Sequence, residues 1–125
     1  MTRTTVSDPN APDPVGPYSH AAVGADGSVL VSGQTPIDPS TGQLVDGDAA
    51  VQTRQVFANL ASVLSAAGRT LDDVTKVNVY LVDMADFDAM NSVYSATFGA
   101  PYPARTTVAV AGLPLGARVE IELVA

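Results

Sequence analysis

The sequence predicts an α+β fold, a mixed β-sheet with two helices packed on one face. Three observations carry that expectation. Apolar residues alternate along most of the chain, and twice the alternation gives way to a helical period. The patterns then run in the order β-β-α-β-α-β-β, so the helices act as crossovers between strands and come to lie on one side of the sheet. Finally, 125 residues with 46% hydrophobic side chains suit one domain, 1–125, around one core.

Each element has its own justification. Residues 1–14 hold three prolines and little apolar periodicity, which predicts a loose lead-in. The stretch YSHAAVGADGSVLVSGQ reads as two short strands around the turn Ala25-Asp26-Gly27-Ser28, with Asp-Gly as the hairpin signal. TPIDPSTGQLVDGD is rich in turn residues and predicts a long loop. Over about 49–67 the residues Val56, Leu60, Val63, Leu64 and Ala67 fall on one helical face, with Asp48 placed to cap the start and Gly68 to end the helix. In DVTKVNVYLVD, Val77, Val79 and Leu81 alternate as in a strand. Asp86 is placed to cap a second helix over about 87–98, ended by Gly99. Its apolar face is Phe87, Met90, Tyr94 and Phe98, with Asn91 on the edge of that face. Two strands, over about 104–111 and 118–124, follow on either side of GLPLG. Because helices cover one sheet face only, the other needs cover that a second copy of the chain would provide, and an oligomer is expected.

Composition removes several function classes. With no cysteine and a single histidine, neither a disulfide framework nor a conventional zinc or iron site is expected. Thirteen acidic against six basic residues leave a formal charge of −7, which repels nucleic acid. No apolar run approaches the ~20 residues that span a bilayer, and MTRTTVSDPNAPDP lacks the apolar core of a signal peptide. A cytoplasmic protein with no nucleic-acid or membrane partner is the expectation. No glycine-rich phosphate loop, HExxH or GxSxG pattern occurs.

The residues with chemical potential are few. Arg105 opens an otherwise apolar strand in PYPARTTVAVAGLP. Alternation places Arg105, Thr107 and Ala109 on one side of that strand and Thr106, Val108 and Val110 on the other, with the second, more apolar set expected to face the helices. A guanidinium among small residues has room for an anion and grips a carboxylate with two parallel hydrogen bonds. A structural ion pair would use the same residue type. Eleven of the thirteen acids are aspartates, and the two glutamates, Glu120 and Glu122, stand together in RVEIELVA. They share the strand face opposite Val119, Ile121 and Leu123, which is the face expected for Arg105. If the last two strands are neighbours, guanidinium and carboxylate share a pocket where the carboxylate can orient or deprotonate water. Solvated acids on an exposed strand face are the alternative. Ser32-Gly33 ends a strand where a ligand can approach the backbone closely. Tyr18, in GPYSHA, is an amphipathic side chain able to wall a pocket. His20 has no visible catalytic partner and reads as structural.

Taken together, GPYSHA, VSGQTPIDPSTGQLV, QTRQVFANLASVLSAAG, DVTKVNVYLVDMADFDAMNSVY and PARTTVAVAGLPLGARVEIELVA resemble, in fixed order over about 15–125, the RidA (YjgF) family of reactive intermediate imine deaminases. The resemblance implies a chorismate-mutase-like fold (bacillus type) and a homotrimer with sites at subunit interfaces. By its PAR motif it implies that Arg105 binds the substrate carboxylate, and by EIE that Glu120 orients water. Tyr18, Ser32, Gly33, Asn91 and Thr107 match pocket positions. The implied reaction is hydrolysis of enamine or imine acids such as 2-aminoacrylate and 2-iminopropanoate to 2-oxo acids and ammonia, with no cofactor and no metal. Thr107 is a departure, since the family's best-known deaminases carry cysteine there. The segment FGAPYPAR is also shorter than in many members. Two alternatives stand beside it: a trimeric protein that binds small carboxylates without turnover, which the same Arg105 supports, and a hydrolase or tailoring enzyme specific to one pathway, which Thr107 and the short segment leave open. The charge of −7 argues against the RNA cleavage attributed to some relatives.

Overall fold

The computed structural model describes residues 2–125. In chain order the strands are β1 (Thr4–Val6), β2 (Ala21–Val23), β3 (Val29–Gln34), β4 (Ile37–Asp38) and β5 (Gln43–Leu44), followed by helix α1 (Ala49–Ala66) and β6 (Lys76–Leu81). Helix α2 (Phe87–Phe98), β7 (Ala104–Ala109) and β8 (Val119–Val124) complete the chain. Among the described residues one sheet runs β1-β2-β3-β8-β6-β7, and β4 and β5 form a separate small hairpin. The β6–β7 pair, joined through α2, is parallel and every other pairing is antiparallel. This is the expected α+β arrangement, a mixed sheet with both helices on one face.

The core lies between that face and the helices. Val29 and Val31 of β3, Val77, Val79 and Leu81 of β6, and Val119, Ile121 and Leu123 of β8 meet Val56, Leu60, Val63 and Leu64 of α1 and Met90 and Tyr94 of α2. Each such aliphatic side chain, fully buried, contributes about 1.5–3 kcal/mol. The expected start and stop of α1 both hold. The Asp48 carboxylate accepts the Val51 N–H at 3.0 Å, and Gly68 takes φ +74° just past the helix. Buried polar residues of α1 tie other segments to it: Asn59 Nδ2 donates to the Thr35 and Ile37 carbonyls, and Gln52 Oε1 accepts the Arg118 N–H. Among the described residues, no helix is long and apolar enough to cross a membrane.

Four expectations are corrected. Residues 1–14 are expected as a loose lead-in; residue 1 lies outside the described residues, and over 2–14 the segment is not loose: Thr4–Val6 pairs with β2, and Asp8 and Ala11 are buried. The lead-in is held by polar contacts, which leave no apolar period to read. His20 Nδ1 accepts the Asp8 N–H at 2.9 Å, its Nε2 donates to the Pro12 carbonyl at 2.7 Å, and Ser62 Oγ of α1 donates to Asp8 Oδ2 at 2.5 Å. The expected long loop after β3 contains the β4–β5 hairpin, anchored by Asn59. Asp86 precedes α2 but makes no side-chain cap; its carboxylate takes both Nε and Nη2 of Arg118, at 3.1 and 2.7 Å.

The fourth correction matters most for function. Strands β7 and β8 are not neighbours, because β6 lies between them. Arg105, Thr107 and Ala109 pair in register with the core residues Val77, Val79 and Leu81, so they lie on the helix side. Thr106 and Val108 are on the open side, where Val108 stays 40% exposed. The assignment was inverted because β7 is the edge strand: its more apolar face lies on the uncovered side.

The polar attachment of the lead-in gives a stability expectation. Replacing His20 with alanine leaves the buried Asp8 N–H unpaired and removes the Pro12 contact. This should lower the unfolding free energy by about 2 kcal/mol in urea titration at neutral pH. A loss under about 0.5 kcal/mol would show that the segment is held by something else.

Candidate active site

Two half-sites emerge, on opposite faces of the sheet. The first is built by α2 and β7. Phe87, Asn91 and Tyr94 follow one another at helical spacing, so one face of α2 presents an amide between two rings. Arg105 of β7 lies against that face. Its Nη1 donates to Asn91 Oδ1 at 2.7 Å, and its guanidinium carbon stands 4.6 Å from the Tyr94 ring centre and 5.6 Å from that of Phe87. Stacking and one hydrogen bond orient the guanidinium without neutralising it. Among the described residues the salt bridge is Asp86–Arg118, and Arg105 has no carboxylate partner. The ion-pair alternative for Arg105 is therefore not what the structure shows. A cavity of about 460 Å³ lies beside it, lined by Asn91, Tyr94, Ser95, Tyr102, Pro103 and Arg105.

Two hydroxyls belong to this half. Tyr94 Oη and Thr107 Oγ1 are buried without a hydrogen-bond partner in the structure. Buried hydroxyls are normally paired, so each is a candidate for contact with a bound molecule. Burial raises the Tyr94 phenol above its ordinary range, and the nearby Arg105 charge partly opposes the shift.

The second half-site is built by β8, β3 and the segment before β2. Glu120 and Glu122 project from the open face of β8. Gly33 explains how Glu120 fits. A Cβ on Gly33 would lie 2.6 Å from Glu120 Oε1, so the carboxylate occupies the space a side chain would fill. The pairing of β3 with β8 shifts register between Val31 and Gln34, around that same glycine. Ser32 fastens the preceding segment: its N–H donates to the His20 carbonyl at 3.0 Å and its Oγ to the Ser19 carbonyl at 2.6 Å. Tyr18 is thereby held at the rim, its Oη accepting the Val15 N–H at 3.2 Å. A cavity of about 310 Å³ is enclosed by Tyr18, Ser32, Gly33, Pro114, Glu120 and Glu122 among others.

The two glutamates differ in environment. Glu122 Oε1 accepts from Tyr80 Oη and, at 3.3 Å, from Asn78 Nδ2. Glu120 has no such donor among the described residues. Burial, and then the charge of Glu122, push the Glu120 carboxyl above its usual range. The Tyr80 phenol is pushed up to about 12, chiefly by its hydrogen bond to Glu122.

Of the sequence candidates, Arg105, Asn91 and Thr107 belong to the first half, and Tyr18, Ser32, Gly33 and Glu120 to the second. A single chain does not bring the halves together. Arg105 and Glu120 lie on opposite faces of the sheet with β6 between their strands, which corrects the expectation of one shared face. His20 is structural, as expected. Sequence reading missed Tyr80, Asn78 and Tyr102. The first two were detectable, since they alternate with Val77, Val79 and Leu81 and so must stand on the face of the glutamates.

Residues 8–125 match the family model described as Endoribonuclease L-PSP. A RutC family protein of Pyrococcus horikoshii is 52% identical over 93% of this chain and 91% of its own length. The 2-iminobutanoate/2-iminopropanoate deaminase of Homo sapiens is 42% identical over 100% of this chain and 90% of its own. The crystal structure of RidA from the Antarctic bacterium Psychrobacter sp. superposes with a TM-score of 0.92 at 45% identity, covering 98% of each chain. With motifs, fold and relatives in agreement, the chain belongs to the Endoribonuclease L-PSP family, the YjgF/RidA family.

Proposed function

We propose that this protein is a cytoplasmic hydrolase that deaminates reactive enamine and imine acids, such as 2-aminoacrylate and 2-iminopropanoate, to 2-oxo acids and ammonia. Its active site is completed between copies of the chain in a homotrimer. One observation carries the reading: each chain has an oriented arginine without an acid partner on one face, and a recessed carboxylate without a donor on the other. Neither half suffices for the chemistry, and two copies supply both. The open sheet face, with Leu30 48% and Val108 40% exposed, supports association through that side. The curated deaminase relative covering this whole chain supports the reaction class.

In this reading Arg105 holds the substrate carboxylate in a charge-assisted fork. The enamine tautomerises to the imine, whose carbon is electrophilic. Glu120 of a neighbouring copy takes a proton from water as the oxygen bonds to that carbon. It returns that proton to nitrogen, giving a carbinolamine; the hydroxyl proton then passes through the same carboxylate to nitrogen, the C=O bond forms as the C–N bond breaks, and ammonia leaves. Burial makes the Glu120 carboxylate a stronger proton acceptor than an ordinary glutamate. The unpaired hydroxyls of Thr107 and Tyr94 give the bound acid further hydrogen-bond donors. A second reading, carboxylate capture without turnover, draws on the arginine half being fully assembled in one chain. It predicts a melting-temperature rise with 2-oxobutyrate and no loss of added imine above the buffer rate.

The shared site has a direct test. Arg105→Ala and Glu120→Gln should each reduce the hydrolysis of 2-aminoacrylate generated in situ by about 100-fold or more. Co-refolding the two inactive variants at equal amounts should restore about a quarter of the wild-type sites, since random assembly places an intact arginine beside an intact glutamate that often. No recovery in well-formed mixed oligomers would mean that both groups act from one chain, and a wild type no faster than buffer would sink the deaminase reading.

Gly33→Ala should fold but displace the Glu120 carboxylate. The expected result is a kcat lowered about tenfold or more with KM little changed, because the carboxylate grip on the other half is untouched. Unchanged kcat would show that the recess does not position Glu120.

Glu120 should also limit stability. A carboxyl raised in the folded state favours folding below its unfolded pKa, and that benefit is lost as pH rises through the folded value. Glu120→Gln is therefore expected to melt higher than wild type at pH 7, with the gap narrowing as pH falls through the raised folded value and closed below about pH 4. A lower melting temperature at pH 7 would contradict the assignment.

A further inference from the structure

We propose that Glu122, clamped by Tyr80 and Asn78, is a positioning residue whose clamp leaves Glu120 as the carboxyl that exchanges protons. The inference rests on the reading of Glu120 given above and assigns a task to three residues that reading leaves idle.

Strand register supplies the geometry. Across β8 and β6, Tyr80 stands directly opposite Glu120, and Asn78 opposite Glu122. The Tyr80 hydroxyl nevertheless bypasses its opposite number and donates diagonally to Glu122 Oε1, the same oxygen that Asn78 Nδ2 reaches. Two donors converge on one carboxylate and none on the other. Glu120 instead fills the recess left by Gly33. Both carboxyls border the same cavity, where two close like charges cannot both be ionised cheaply. The donors give the two carboxyls different surroundings, and environments that divide two neighbouring carboxyls are how acid and base roles are set apart.

Among the described residues, the other charged and titratable groups around this face are Lys76, Arg3 and Tyr18. Lys76, on the same face of β6, extends its Nζ to Thr106 Oγ1 at 2.9 Å. Arg3 borders a neighbouring cavity of about 390 Å³, on which Glu122 and Tyr18 also open. From β3 the neighbours are Ser32 and Gly33, and from the chain before β2 the titratable group is Tyr18. Arg105 lies on the opposite face of its own chain. The Tyr80 phenol, titrating at about 12, remains a donor across the working range.

The composition makes the test clean, because Glu120 and Glu122 are the only glutamates in the chain. Labelling with glutamate enriched in ¹³C at Cδ gives two side-chain carboxyl signals, titrated without substrate. In the wild type, the Glu120 signal should titrate above the ordinary glutamate range. Glu122→Gln leaves a single signal, which should be the higher one, its midpoint lowered by loss of the neighbouring charge. Tyr80→Phe should narrow the gap between the two midpoints, and it provides a second variant should Glu122→Gln fold poorly. A Glu120 midpoint unmoved in Glu122→Gln, or a gap unmoved in Tyr80→Phe, overturns the proposal. So does a high-titrating signal that vanishes with Glu122. Where deaminase activity is present, the acid limb of kcat/KM should follow the Glu120 midpoint. The divided titration without any activity would defeat the function and leave the clamp standing, so the two failures are distinguishable.

Discussion

Period-two alternation in β8 is the constraint on which the rest depends. Val119, Ile121 and Leu123 are buried among the helices, and burying them places Glu120 and Glu122 on the opposite face. A slip of one residue would bury two carboxylates and expose three aliphatic side chains, at a cost of several kcal/mol. Core formation therefore positions the acids of the candidate site. The glycine at position 33 and the tyrosine at position 80 then act on side chains whose direction is already settled.

The other half depends on α2. Its helical spacing aligns Phe87, Asn91 and Tyr94 under the edge strand, and Arg105 has only to lie across them. Edge position matters here. A central strand would enclose the guanidinium and demand a carboxylate partner. On β7 it stays partly exposed, oriented by aromatic faces and an amide, with its charge available to a ligand.

Much of this was legible in the sequence. The helices announced themselves through apolar period, and Asp48, Gly68 and Gly99 marked their ends. The alternation of β8 correctly paired the two glutamates on one face. What failed was non-local. Nothing in a linear pattern says that the last strand inserts between β3 and β6, so the neighbour relation of β7 and β8 was misjudged. On an edge strand the rule that the more apolar face points to the core breaks down, which reversed Arg105. The lead-in escaped notice because it is attached by His20, Asp8 and Ser62, residues whose pairing leaves no periodic trace. Gly33 was recognised as a place of close approach, but the group that approaches is Glu120 of the same chain.

The insertion of β8 has a consequence for how the chain is made. During vectorial synthesis β1, β2 and β3 can pair with one another, and β6 and β7 can close through α2, while the edges of β3 and β6 that will receive β8 remain bare. Their joining strand leaves the ribosome after both helices and the other five strands of the sheet. Until then a nascent chain carries two fragments of sheet with unsatisfied edges, the condition most open to mispairing with another copy. The sheet is therefore closed only when the six residues of β8 are available to join its two parts.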